Sequence, residues 1–217
     1  MKIGIAIPCF NKHIDACYRL LDSIDKQTRL PDQVVVSCSS STLFDFVQQR
    51  YQFPLTVLLT GAHQNAAQNR NKAADHLDTD IITFMDADDS MHPQRLEAIE
   101  QAFQDPGTTI VLHSFLLNEE CRQPFPVVSQ FVVEKNILNQ CYSGCIKFVN
   151  NDPVSRIHHS QASVRQSVFK AVRFPEDKES EGREDCRFCY RVFSLPGTQS
   201  SYLRYPLSKY SPSKTMG

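Results

Sequence analysis

The chain has 217 residues, and its 23 basic and 24 acidic side chains leave a net charge of −1, which gives no electrostatic footprint for nucleic acid and no polybasic membrane patch. This length suits one domain that buries roughly 70% of its unfolded surface, so no staple is needed to hold a core. Residues 3–7 are too short for the apolar region of a secretory signal, and no apolar stretch approaches the ~20 residues of a membrane span, so the expected location is the cytoplasm.

Strand 1 is expected at residues 3–7, ended by Pro8. Ile14, Cys17, Tyr18, Leu21 and Ile24 then fall on one helical face, and Pro31 stops the connection before a short strand at Val34, Val35 and Val36. A helix carrying Leu43, Phe44, Val47 and Tyr51 follows, then a strand at residues 56–60 and a helix at 64–77, whose Ala66, Ala67, Ala73 and Ala74 permit close packing on a sheet. Residues 81–85 form an apolar central strand, and Leu96, Ile99 and Phe103 mark the next helix, closed by Pro106-Gly107. This alternation is the signature of βαβ units and a largely parallel sheet. The second half reads as strands at 108–117 and 127–133, a polar irregular region at 136–160, a helix at 184–193, a strand near 202–205 and a polar tail at 208–217.

The central strand ends abruptly in Asp86-Ala87-Asp88-Asp89. Carboxylates crowded at the carboxyl end of a strand sit where open α/β sheets bind ligands, and a hard divalent cation, Mg²⁺ or Mn²⁺, would relieve their repulsion while leaving coordination positions for phosphate. The competing reading is local: Asp89 or Ser90 caps a helix that begins near His92-Pro93. Eight cysteines in a chain of this size read as reduced, mostly buried thiols. Cys141, Cys145, Cys186 and Cys189 offer a four-thiolate zinc set, against which Cys186, Cys189 and Phe193 recur at the spacing of one packed helical stripe.

Three further segments point to the acidic strand end: Ile7-Pro8-Cys9-Phe10-Asn11 after strand 1, Asn69-Arg70-Asn71-Lys72-Ala73 on the helix before the central strand, and Glu184-Asp185 at the start of the last helix. In this order, together with Phe84-Met85-Asp86-Ala87-Asp88-Asp89, they resemble the family 2 glycosyltransferases of the GT-A fold. The resemblance implies an α/β GT-A domain over 1–207, with a nucleotide-binding half at about 1–106, an acceptor-binding half at about 107–207 and a tail at 208–217. It implies metal-dependent, inverting transfer of a sugar from a nucleotide-diphosphate donor, a UDP-sugar first, to a hydroxyl of a glycan or glycoconjugate.

By the same resemblance, Pro8, Phe10, Asn11, Arg70, Asp86 and Ala87 contact the donor, Asp86 meets the ribose, Asp88 with Asp86 meets the metal, and Asp185 is the base, with Glu184 as its alternative. One departure stands out. Where the family carries paired Asp residues after strand two, this chain reads Val36-Ser37-Cys38-Ser39, so the donor base is open and Ser39 is the substitute donor contact. His158 or His159 could serve as a metal ligand or acceptor contact, and Lys209 could reach the diphosphate. A catalytically silent nucleotide-sugar-binding module is the main rival. A sugar nucleotidyltransferase fits less well, because Pro8-Cys9-Phe10-Asn11-Lys12-His13 lacks the glycines of a phosphate loop.

Overall fold

The computed structural model describes residues 1–42, 51–141, 144–152 and 156–211. Its first half is built from β1 (Ile3–Phe10), α1 (Ile14–Ile24), β2 (Gln33–Ser39), β3 (Leu55–Thr60), α2 (Ala66–Asp75) and β4 (Ile81–Phe84). The four strands run parallel in the order β3-β2-β1-β4. Alternation along β1 sorts the core into two layers. Ile3, Ile5 and Ile7 pack with Cys17, Leu20, Leu21 and Ile24 of α1, while Ala6 faces the other way, with Ala67, Ala73 and Ala74 of α2. Gly4 sits where a Cβ would come within 2.7 Å of the Leu77 side chain and 2.8 Å of the Thr79 hydroxyl, so any larger residue would have to displace these two buried side chains.

The chain continues through β5 (Ser90–Met91), α3 (Arg95–Phe103), β6 (Thr108–Leu117), β7 (Val133–Lys135), β8 (Leu138–Gln140), β9 (Ile146–Phe148), β10 (Ser163–Arg165), α4 (Gln166–Ala171), α5 (Glu184–Phe193) and β11 (Gln199–Tyr210). Among the described residues β10, β6, β11 and β5 extend the sheet in that order beyond β4, β7 pairs with β11, and β8 and β9 form a separate hairpin. This half is mixed: β10 runs antiparallel to both β4 and β6, while β6 and β11 are parallel. α3 shares the layer of α1, and α4 and α5 share that of α2. Among the described residues no helix is long and apolar enough to cross a membrane.

Several sequence expectations need correction. Pro8 does not end β1, which pairs with β2 as far as Phe10. The carbonyl of Ala6 accepts from Met85 on the β4 side, so the missing N–H of Pro8, two residues on, falls on that same side beyond the end of β4 and breaks no ladder bond. The strand expected at 127–133 is absent except for Val133. Both the N–H and the C=O of Val128 are taken by the side chain of Gln94, and the carbonyl of Phe131 by Gln101, so that backbone is satisfied without a neighbouring strand.

Asp89 and Ser90 cap nothing: α3 starts later, after Gln94, and Ser90–Met91 pairs instead with β11. β11 itself reaches Tyr210, into the segment read as a tail. The helix expected around Leu43, Phe44 and Val47 lies outside the described residues, although Tyr51 stacks on Phe53 at 5.3 Å against the core.

Candidate active site

β1 and β4 end side by side, so Pro8, Phe10, Asp86, Ala87 and Asp88 emerge together and line a cleft of about 290 Å³ with Arg70 of α2. The ring of Phe10 stands edge-on to His63 at 5.8 Å, and these two rings form an aromatic wall. Of the expected donor contacts, two lie away from this lining. Asn11 is exposed in the turn Asn11–His13, and Ser39 is fully buried. Ser39 accepts from Asn69 at 3.0 Å and donates to the carbonyl of Gln64, so its hydroxyl ties β2 to α2 rather than facing a ligand.

The three clustered carboxylates have three different fates. Asp89 is 1% exposed and points into the protein, accepting from the Gln161 amide at 2.5 Å and the Ser211 N–H at 2.8 Å. Burial pushes its carboxyl up, against the opposing pull of His158. Asp86 is bonded to Arg70 at 2.6 Å. Burial would raise it, but Arg70 and then His158 outweigh that and hold it below the usual carboxylate range. Asp88 faces the cleft, and burial, reinforced by Asp86 and Asp89, pushes it up to about 6.

Beneath the turn, fully buried Arg95 donates to the carbonyls of Phe84 and Gln161 and to His113. Burial outweighs the attraction of Asp89 and lowers its guanidinium to about 9.

Arg70 is a brace. Its two terminal nitrogens bind Asp86 at 2.6 Å and Glu184 Oε1 at 2.7 Å, and its guanidinium lies 5.4 Å from the centre of the Phe174 ring. The end of β4 and the start of α5 are thereby joined through one buried cation. Burial alone would lower Arg70, yet Asp86, Glu184 and Asp185 push it above its ordinary value.

Asp185, half-buried, accepts from the Cys186 N–H at 2.6 Å and lines a second cavity of about 410 Å³ with Phe115, His158 and Tyr210. Both cavities share Arg70, Asp86 and Asp88, so they meet at the acidic turn.

The two histidines are held differently. His158 packs between Phe115 and Tyr210, with Nε2 3.3 Å from Asp89 but off the line of a hydrogen bond, whereas the ring of His159 meets the backbone of Ile146 at 3.2 Å. Lys209 points elsewhere, donating to the carbonyl of Gln123 over the ring of Phe125. Among the described residues no group of three or more His, Cys, Asp or Glu side chains is placed to hold a metal, which removes the four-thiolate zinc site.

The cleft residues fit a divalent cation held in part by a ligand's own phosphates. Asp88, raised by burial and then by two neighbouring carboxylates, would offer it an oxygen in the cleft, with diphosphate and water completing the coordination, the usual mode for Mg²⁺. The sequence reading missed His63 and Asn65, which also line the first cleft. A signal was present in Asn65-x-x-Gln68, a reciprocal capping box that fixes the loop as α2 begins.

A model of glycosyl transferase family 2 matches residues 4–173. An uncharacterized glycosyltransferase of Haemophilus influenzae is 30% identical over 112 residues, which are 51% of this chain and 38% of that protein. The crystal structure of S. aureus TarS 1-349 superposes with a TM-score of 0.72 at 19% identity, covering 97% of this chain and 60% of that one. The same TarS segment in complex with UDP-GlcNAc gives 0.70 at 18% identity, covering 97% and 58%. The chain thus has the fold of these structures and spans less than two thirds of the length of each of these three.

Proposed function

The chain belongs to glycosyl transferase family 2, and on that premise we propose that it moves a sugar from a nucleotide-diphosphate sugar, a UDP-sugar first, to a hydroxyl of a glycan or glycoconjugate with inversion at the anomeric carbon. The observation that carries this reading is the pair of cavities meeting at Asp86 and Asp88 with Asp185 on the far one, a donor compartment and an acceptor compartment sharing one acidic turn. Residues 1–106 supply the donor side and 107–207 most of the acceptor side. The UDP and UDP-GlcNAc complexes of the TarS structures support the choice of donor.

In this mechanism the base lies against Pro8 and Phe10. Asp86, with one oxygen committed to Arg70, offers its other oxygen to the ribose. Mn²⁺ or Mg²⁺ bound at Asp88 would neutralise the charge that develops on the diphosphate as the anomeric bond breaks. Asp185 takes the proton of the acceptor hydroxyl while that oxygen forms its bond to the anomeric carbon from the face opposite the departing diphosphate. Glu184 is the brace rather than the base, because its Oε1 is held by Arg70 and its Oε2 is shut away from solvent, whereas Asp185 is only half-buried.

The test is titration of UDP in Mn²⁺ and in chelator, followed by release of UDP from UDP-GlcNAc. Binding is expected to be at least about tenfold tighter with metal, and Asp88→Asn should remove the difference. Equal affinities in chelator would take the metal out of the mechanism. Slow metal-dependent hydrolysis of the donor separates an enzyme from a silent binding module, which would bind UDP-GlcNAc and leave it intact.

Base selectivity is expected to be weak. Cys38 and Ser39 stand where the family's paired carboxylates would, and both are buried side chains without charge. Affinities for UDP, GDP and dTDP should lie within about tenfold of one another, a spread of ~1.4 kcal/mol. A much larger preference for UDP would show that another group reads the base.

A further inference from the structure

We propose that Cys145 and Cys186 form a redox modification site, in which a low-molecular-weight disulfide converts the two thiols to a bond that pins the β8–β9 hairpin to the first turn of α5. Their sulfurs lie 2.8 Å apart although the residues are 41 positions apart in sequence, and closing to a covalent bond requires movement of less than ~1 Å. Rigid elements hold both partners. Gly144, at φ +80°, donates to the Cys141 carbonyl, and Cys141 donates to the Cys145 carbonyl. The next residue, Ile146, is buried in the same core layer as Phe188 and Cys189 of α5, and its backbone meets the ring of His159. On the paired strand Ser194 donates to Gln140, which sits opposite Ile146, at 3.1 Å.

Both thiols are partly exposed, whereas Cys9, Cys17, Cys38 and Cys189 are buried, so a small oxidant has access to this pair and not to those four. The exchange balances without any group beyond the oxidant. One thiolate attacks the small disulfide and releases its first half as a thiol, and the second thiolate then attacks the protein sulfur and releases the other half. The protein gives up two electrons and two protons, and the oxidant becomes two thiols. Burial, Asp185 and Cys145 all push the Cys186 thiol up, so the thiolate fraction is small and exchange is slow at neutral pH.

The site adjoins the acceptor compartment, because the N–H of Cys186 is bonded to the Asp185 carboxylate. It stands independently of the transferase reading, since it rests on the two sulfurs and their scaffolds alone.

The experiment incubates the full chain with oxidised glutathione at pH ~8.5, where thiolate is more abundant, then blocks free thiols by alkylation and maps cysteine pairs by peptide mass spectrometry. A linked pair of peptides through Cys145 and Cys186 is expected, with two fewer alkylated cysteines and a Tm raised above that of the reduced protein. Cys145→Ser, which leaves α5 untouched, should lose both the cross-link and the rise and carry glutathione on Cys186. Oxidation of other cysteines without this link, or a cross-linked protein that melts below the reduced one, would overturn the proposal.

Discussion

Replacing Asp185 with asparagine is expected to lower the single-turnover rate of sugar transfer by about 10²- to 10⁴-fold while leaving donor affinity nearly unchanged. Asparagine keeps the size of the side chain and an oxygen that can accept from the Cys186 N–H, so the local geometry of α5 survives. What it loses is the capacity to take the acceptor's proton. A purely structural role makes the opposite forecast.

Asp185 is not the N-cap residue: Arg183 holds that position without a side-chain bond, and Asp185 adds a favourable charge in the first turn and a bond from the Cys186 N–H that asparagine can also accept. On that account Asp185→Asn would cost at most about 1 kcal/mol of stability and nothing in rate. Rate, donor affinity and Tm, measured on the same preparation, separate the two. Glu184→Gln provides a contrast, because Glu184 is bonded to Arg70 and its loss should appear in Tm before it appears in the chemical step. A fully active Asp185→Asn protein would falsify the assignment.

The parts of this molecule legible in the sequence were those in which local pattern and tertiary demand coincide. The apolar run at residues 81–85 could only be a buried strand, so the acidic turn after it had to emerge at the sheet's carboxyl edge, and Pro8, Phe10, Asp86 and Asp88 duly line one cleft. The stripe of α1 and the length of α5 followed from periodicity in the same way.

Readings failed where a side chain did the work of a backbone. Gln94 and Gln101 satisfy the segment at 127–133 without a strand, and no pattern in that segment announces them. The three aspartates also look alike in sequence. Only the fold shows that Asp89 turns inward to Gln161 and Ser211, that Asp86 reaches the cleft with one oxygen bound to Arg70, and that Asp88 reaches it without a cation bound to it among the described residues. The bond of Ser39 was hidden for a related reason, because its partner Asn69 belongs to a different element and the pairing exists only once α2 packs on β2.

Arg70→Met should be the most destabilising of the substitutions considered, by about 3–5 kcal/mol at neutral pH, because it leaves the buried carboxylates of Asp86 and Glu184 without their shared cation. The loss should depend on pH in a definite direction. In the native chain Asp86 titrates below its unfolded value, so its contribution to stability is complete above the ordinary carboxylate range and disappears as pH falls through its folded pKa.

Without Arg70, burial, the largest single influence on Asp86, pushes its pKa the other way. The folded variant then binds a proton more tightly than the unfolded chain does, and it is penalised increasingly as pH rises through the unfolded value of ~3.9. The stability gap between native and variant protein is therefore widest near pH 7.5 and narrows toward pH 4.5. Urea unfolding of both proteins at the two pH values measures the gap directly. A gap independent of pH would mean that Arg70 acts through its packing on Phe174 rather than through its charge. Arg70→Lys refines the result: it keeps the charge but cannot span both carboxylates, so it should recover part of the stability and, with Glu184 released, little of the geometry that places Asp185.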